Sequence, residues 1–176
     1  FSINTAPDVP AIQIVPANPT TSDDLQVEFL FPTFDANGDA LTYQYRWYKQ
    51  GVLPLEDSFV ASDYTSRDDV WTVEVTAKDA YHESDVAVAS VSISNSPGTV
   101  SNALVEPAVG DVTTLFTCSG KGYVDADNDP EDYYVTWWKA APEDGKFSPL
   151  GDGVHPTLGK YGTGDVLSCR LRTKDT

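Results

Sequence analysis

DANGDALTYQYRWYK, at residues 35–49, recurs ninety residues further along the chain as DADNDPEDYYVTWWK, at residues 125–139. Trp47 and Trp137 therefore occupy the same place in two copies of one unit. Such a repeat indicates a tandem array, in which each copy forms one structural unit. The repeat favours a molecule that spans distance or presents surfaces over an enzyme.

The boundaries of the two copies do not coincide with the first and last residues of the sequence. Residues 1–7, FSINTAP, resemble residues 91–97, VSISNSP, which close the first copy. We expect residues 1–7 to be the end of a preceding repeat or a donor strand, residues 8–95 to form the first domain and residues 96–176 the second. The second copy stops before its final strand. Either the chain is an excerpt of a longer array, or the first residues of one molecule complete the second domain of the next.

The net charge of −16 restricts the partners. Contact with nucleic acid or anionic membranes depends on Lys and Arg, and the chain has 11 of these against 27 acidic residues. We expect no nucleic acid partner, and no membrane insertion because no apolar run approaches the length of a membrane span. The excess of carboxylates favours divalent cations instead. An apolar fraction of 40% predicts two modest folded cores.

The two cysteines replace a pair of core valines. Cys118 aligns with Val27, and Cys169 aligns with Val73. The two valines are expected to face each other across the core of the first copy. Because both positions are Cys in the second copy, the sequence predicts a disulfide between its two sheets. Free buried thiols are the alternative. Because such a disulfide persists only in an oxidising compartment, the sequence predicts an extracellular or cell-surface protein.

Both copies are predicted to be all-β. Short segments that alternate apolar and polar residues recur between Pro, Gly, Asn and Asp, and none keeps a helical period. In the first copy these strands are predicted at Ile12–Val15, Leu25–Phe31, Leu41–Lys49, Val70–Lys78 and Val86–Ser94. The alternation points the two matched tryptophans into the core.

The order of these motifs resembles the tandem immunoglobulin-like, cadherin-like or PKD-like repeats of large bacterial surface and secreted proteins. The resemblance rests on the spacing of Cys118, Trp137 and Cys169 and on six motifs: NTAP, DDL, the aspartate turn, YxWYK, DxWTVxVTAKD and SVSISN. It covers nearly the whole chain and implies two tandem immunoglobulin-like β-sandwich domains, the second lacking its final strand. It also implies a stalk, an adhesin shaft or a filament subunit, whose partners are neighbouring repeats or identical subunits arranged head to tail.

Each copy carries alternating oxygen-bearing side chains before its tryptophan strand. Such a turn supplies several of the six to eight oxygen ligands that Ca²⁺ takes. In the immunoglobulin-like fold this loop shares one end of the domain with the loop after the penultimate strand. The predicted calcium ligands are Asp35, Asn37, Asp39 and Asp79 in the first copy, and Asp125, Asp127, Asp129 and Asp175 in the second. An ordinary turn that needs no ion is the alternative.

An outward aromatic pair is the last candidate surface. Tyr134 and Trp138 are predicted to form a flat platform on which a polysaccharide could stack, or to be covered by a neighbouring strand. A carbohydrate-binding or spacer region of a secreted hydrolase is therefore the alternative function. No catalytic residue is predicted, because His82 and His155 are the only histidines and neither belongs to a nucleophile or zinc motif. We expect the chain not to be an enzyme.

Overall fold

The computed structural model describes residues 3–174, apart from the side chains of Leu53 and Pro54. Every regular element in this part of the chain is a β-strand, except for one short 3₁₀ helix at Ser62–Tyr64. The chain divides into two compact units, Phe1–Ser96 and Pro97–Thr176. The described residues include no helix with the length and apolar character needed to cross a membrane.

The first unit is built from two antiparallel sheets that enclose one core. Its strands are β1 (Ile12–Val15), β2 (Leu25–Phe29), β3 (Thr42–Lys49), β4 (Val52–Leu55), β5 (Phe59–Val60), β6 (Val70–Lys78) and β7 (Ala87–Ser92). They pair in the orders β1-β2-β5 and β4-β3-β6-β7. Leu25 and Val60 of the first sheet share a buried cluster with Trp47 and Val73 of the second. This all-β arrangement is compatible with a β-sandwich.

Alternation along β6 explains why its sheet has one buried face. Trp71, Val73, Val75 and Ala77 are all buried, whereas the residues between them are only partly covered. The period-two pattern predicted from the sequence is therefore confirmed on this strand. β2 ends at Phe29, two residues before its predicted end, and Phe31 is exposed.

The second unit repeats this framework with fewer strands. They are β8 (Asn102–Glu106), β9 (Thr117–Lys121), β10 (Tyr133–Ala140), β11 (Phe147–Asp152) and β12 (Val166–Thr173). They pair in the orders β8-β9 and β11-β10-β12. Within the described residues β12 pairs only with β10, whereas the corresponding β6 pairs with both β3 and β7.

The matched tryptophans both lie at the centre of a core, as predicted. Trp47 and Trp137 have no exposed surface. The Trp137 Nε1–H donates a hydrogen bond to the Gly153 carbonyl at 2.9 Å, whereas the Trp47 Nε1 has no hydrogen-bond partner. The two cores therefore hold the same ring, but only the second provides a hydrogen-bond acceptor for its N–H group.

The predicted disulfide is confirmed. Cys118 of β9 and Cys169 of β12 are bonded, with their Cα atoms 6.2 Å apart. Since β9 and β12 belong to different sheets, the bond crosslinks the two sheets of the second unit. Val27 and Val73 occupy the aligned positions of the first unit without a covalent link. A crosslink of this kind is compatible with an oxidising compartment.

Replacing both cysteines by valine would give the second unit the pair that the first unit carries. The bond joins residues 51 positions apart, so its loss should lower the free energy of unfolding of this unit by up to about 4 kcal/mol in the chain-entropy model. Denaturant unfolding followed by tryptophan fluorescence measures the change. Reductant should shift the wild-type midpoint and leave that of the valine variant unchanged. A wild-type midpoint unaffected by reductant would contradict this expectation.

Candidate metal site and aromatic face

The aspartate turn of the first unit folds around the side chain of its first residue. Asp35 Oδ1 accepts hydrogen bonds from the backbone N–H groups of Asn37 at 2.9 Å and Asp39 at 3.1 Å. The Gly38 N–H donates to the Asp35 carbonyl at 3.1 Å, and Gly38 has a φ of 76°, which residues with a Cβ rarely adopt. The motif is a self-contained turn, as its composition predicts.

This turn brings two carboxylates to a third that follows β6. Ligand oxygens of Asp35, Asp39 and Asp79 all lie within 4.8 Å of one another. Oxygens bound to one Ca²⁺ at roughly 2.4 Å are at most about 4.8 Å apart, so one ion can contact all three. Three of the four ligands predicted in the first copy therefore meet at one point.

Asp35 is the carboxylate of this cluster that has one oxygen without a protein partner. The residue is 7% exposed, and its Oδ2 is buried with no hydrogen-bond partner. Because Oδ1 is already occupied by the turn, Oδ2 is the oxygen left for a ligand. A buried carboxylate oxygen without a partner is costly, and two neighbouring carboxylates add repulsion. A divalent cation would remove both penalties.

Asn37, the fourth predicted ligand, holds the segment that precedes the first strand. Its Oδ1 accepts hydrogen bonds from the backbone N–H and the hydroxyl of Thr5, both at 2.8 Å. Its Nδ2 donates to the Ile3 carbonyl at 3.2 Å. Residues 3–7 are not in a strand, and Phe1 and Ser2 lie outside the described residues. The amide of Asn37 thus fixes this segment beside the carboxylates.

Asp79 is held as an anion by several donors. Its Oδ1 accepts the N–H groups of Tyr81 and His82, both at 2.6 Å, and its Oδ2 accepts the Asn4 Nδ2–H at 2.9 Å. Burial acts to raise the pKa of Asp79, but these two backbone N–H groups and the Asn4 amide outweigh it. The net pKa of Asp79 is lowered. A cation ligand must be ionised, and these contacts favour that form.

Asn4 and His82 are the residues at this site that the sequence did not indicate. The Asn4 Nδ2 also lies 2.9 Å from His82 Nδ1, which accepts the hydrogen bond because the amide nitrogen is a donor. Both residues line an open cleft together with Asn37, Asp39 and Tyr81. Asn4 and His82 are 78 positions apart, and no local motif links them.

The second unit forms the same turn but satisfies its first aspartate differently. Asp125 Oδ1 accepts the N–H groups of Asp127 at 2.8 Å and Asp129 at 3.1 Å. Its Oδ2 accepts a hydrogen bond from the Tyr123 hydroxyl at 3.4 Å. Asp175, the predicted fourth ligand, lies outside the described residues. Among those described, only the first unit brings three carboxylates together.

The predicted aromatic platform carries a layer of cations. The Arg170 guanidinium lies 4.5 Å from the centroid of the Trp138 ring. Arg172 and Lys174 lie 4.9 and 5.2 Å from the centroid of the Tyr134 ring. These are cation–π distances, so the rings are engaged by side chains of the neighbouring strand. A sugar ring would have to compete with them.

Scans of known protein families and of curated proteins find no match to this chain. The class that the structure defines is an all-β protein of two compact units, with one disulfide between sheets of the second.

The Asn4 contact can be tested through the titration of Asp79. Because the pKa of Asp79 is lower in the folded chain than in the unfolded chain, its carboxylate stabilises the fold above the unfolded pKa. That contribution disappears as the pH falls through the folded pKa. Asn4→Ala removes one of the donors and should raise the pKa of Asp79 toward its ordinary value. Carboxyl NMR titration in calcium-free buffer measures the shift.

Thr5→Val is the matched control, since it leaves the Asn4 amide in place and removes a neighbouring hydroxyl contact. Its Asp79 should titrate like the wild type. If the pKa of Asp79 is the same in Asn4→Ala as in the wild type, the Asn4 amide does not act on this carboxylate.

Proposed function

We propose that this chain is a structural or adhesive extracellular repeat protein, serving as a stalk, a shaft or a filament subunit built from immunoglobulin-like β-sandwich domains. One observation carries the proposal: the two units repeat the same strand register. Trp47 faces Val73 across β3 and β6, and Trp137 faces Cys169 across β10 and β12. A register preserved through two copies supports a role in which the scaffold itself is the working part.

A turn and the ion pair at its end are also common to both units. Lys49 Nζ lies 2.7 Å from Asp69, and Lys139 Nζ lies 3.3 Å from Asp165. The N–H of Gly162 is the main influence that lowers the pKa of Asp165; burial opposes it, and Lys139 adds to the lowering. These contacts favour the ionised form of Asp165 at the start of β12, and Asp69 makes the corresponding lysine contact at the start of β6. The shared polar contacts are structural ones, which supports a mechanical role.

Calcium at the first unit completes the proposed role. The cluster of Asp35, Asp39 and Asp79 offers oxygen ligands of the kind that Ca²⁺ prefers, and the buried Oδ2 of Asp35 lacks any other partner. An ion there would tie the aspartate turn to the loop after β6. The end of the first unit would then be rigid, which suits a domain that bears load between head-to-tail neighbours.

Calcium should therefore stabilise the first unit. Saturation at about 100 times the dissociation constant adds roughly 2.7 kcal/mol, which corresponds to a rise of several degrees in Tm. EGTA should reverse the rise. Asp35→Asn should abolish the response, because it replaces the carboxylate oxygen that has no other partner. Calorimetry at several calcium concentrations measures both effects.

Asp57→Asn is the matched control, because the Asp57 carboxylate bonds only to the neighbouring Ser58 within the described contacts. This variant should keep the full calcium response. A wild-type Tm that saturating calcium leaves unchanged would exclude the site. Retention of the response in Asp35→Asn would place the ion elsewhere.

The alternative of a carbohydrate-binding region is tested at Trp138. Because Arg170 already stacks on this ring, we expect Trp138→Ala to leave retention on a panel of neutral and acidic polysaccharides unchanged. Affinity electrophoresis through gels that contain each polysaccharide makes the comparison, with Tyr48→Ala on the first unit as the matched aromatic control. If one polysaccharide slows the migration of the wild type but not that of Trp138→Ala, the carbohydrate-binding function is favoured.

A further inference from the structure

The outward face of β12 carries three cations in a row. Arg170 and Arg172 belong to the strand and are exposed, and Lys174 follows its end. Cys169 and Leu171 alternate with them and contribute to the core of the second unit. Since successive side chains of a strand point to opposite faces, the cations lie on the solvent side of the sheet. Three of the 11 basic residues in a chain of net charge −16 are thus gathered along one strand.

Two aromatic rings of β10 lie beneath these cations. Arg172 is paired directly with Tyr134 in the register of the two strands. The guanidinium of Arg170 lies 4.5 Å from the centroid of the Trp138 ring, and that of Arg172 lies 4.9 Å from the centroid of the Tyr134 ring. A guanidinium held over a ring loses rotational freedom but keeps its N–H donors, which lie at the edge of its plane. Both arginines are therefore positioned in advance for an acceptor.

These arginines have no acceptor in the part of the chain that the structure describes. Neither guanidinium forms an ion pair or a hydrogen bond there, whereas Lys174 Nζ lies 2.8 Å from Asp132 Oδ2. Asp152 of β11 is separated from Arg170 by β10, and it repels an acidic ligand on that side of the sheet. The available positive charge is therefore concentrated on Arg170 and Arg172.

The corresponding face of the first unit carries its own carboxylates. Glu74 stands where the repeat alignment places Arg170, and it accepts a hydrogen bond from the Tyr48 hydroxyl at 3.0 Å. The Nε of Arg46 lies 3.8 Å from Glu56. Because the two units share a framework, that framework does not require arginines without counterions at this face. The difference between the units points to a ligand for the second.

The exposure of this face does not depend on what lies beside β12. In the first unit β6 is paired on both sides, by β3 and β7, and Glu74 and Thr76 remain partly exposed on it. These two residues correspond to Arg170 and Arg172. A strand paired with the edge of β12 would therefore leave both arginines accessible from the solvent side.

We propose that this basic face, made of Tyr134, Trp138, Arg170 and Arg172, binds an acidic segment of a partner protein in an extended conformation. The two arginines are two residues apart on a strand, which separates them by about 6.8 Å. Carboxylates on alternate residues of an extended segment have the same spacing, and each can accept two hydrogen bonds from one guanidinium. The cations cover both rings, so the face recognises carboxylates rather than the plane of a sugar ring.

The negative charge of the whole chain does not prevent this contact. Charges more than about 10 Å apart are largely screened at 0.1 M salt, so an acidic segment responds mainly to the cations that it touches. The contact rests on the proposed adhesive role, for which it names the chemistry of the partner. Higher salt should weaken it, because both arginines are exposed.

Two capped synthetic peptides of equal charge test the proposal. One consists of four Glu-Thr repeats, which place every carboxylate on one face of an extended chain. The other consists of four Glu-Thr-Thr repeats, in which no two carboxylates are two residues apart. NMR titration of the full chain in calcium-free buffer should show shifts of the Arg170 and Arg172 Nε–H signals with the first peptide. The second should bind about tenfold more weakly, because it engages one arginine at a time.

Substitution of either arginine provides the second measurement. Arg170→Gln and Arg172→Gln should each weaken binding of the first peptide about tenfold, because each removes one charged pair. Arg46→Gln is the matched control on the first unit, and it should bind like the wild type. All three side chains are exposed, so the variants should fold normally.

Four results would overturn the proposal. They are the absence of shifts with the first peptide, equal affinity for the two peptides, unchanged affinity in both β12 variants, and tighter binding of a galacturonate oligomer of equal charge through the same arginines. The last would make the ligand an acidic polysaccharide. A normal calcium response of a chain that fails to bind the peptide would show that the structural role survives without this partner.

Discussion

Each unit encloses a matched tryptophan between its two sheets, Trp47 in the first and Trp137 in the second, and burial of this ring constrains the strands around it. Trp47 and Trp137 are completely buried on central strands, each opposite a residue of the next strand that also faces the core. A ring of this size is covered only when both sheets are present at their proper separation. The strand register is therefore preserved through the repeat, while loops and edge strands differ.

The two units hold their sheets together by different means. In the first, Ile93 closes the core from the end of the last strand, and burial of one such side chain contributes about 1.5–3 kcal/mol. In the second, the bond between Cys118 and Cys169 crosslinks the sheets and contributes roughly 4 kcal/mol in the chain-entropy model. The covalent link of the second unit is thus comparable in size to the burial of one core side chain in the first.

The aspartate turns show how one motif takes different roles. In both units the first aspartate uses Oδ1 to organise the turn. Its second oxygen depends on the neighbours: Tyr123 donates to Asp125, whereas Thr33 at the aligned position makes no hydrogen bond to Asp35. The turn therefore depends only on residues within the motif, whereas an aspartate oxygen that is free to bind a cation depends on the side chains around it. This difference is why the cation site is proposed in the first unit and not in the second.

The sequence by itself determined the features that depend on periodicity and on the comparison of the two copies. Alternation predicted the buried face of β6, and replacement of Val27 and Val73 by cysteines predicted the disulfide. These succeed because a residue's position in a strand decides its face, and aligned positions in two copies share a place in the core. The segment of β4, VLPL, has no alternation of apolar and polar residues and contains a proline, and β5 has only two residues, so both strands escaped prediction.

Only the tertiary structure decided which side chains meet across long stretches of chain. Asn4 reaches Asp79 over 75 positions, and Arg170 covers Trp138 because β12 lies beside β10. Such contacts follow from how sheets pack and pair, which no local run of residues encodes.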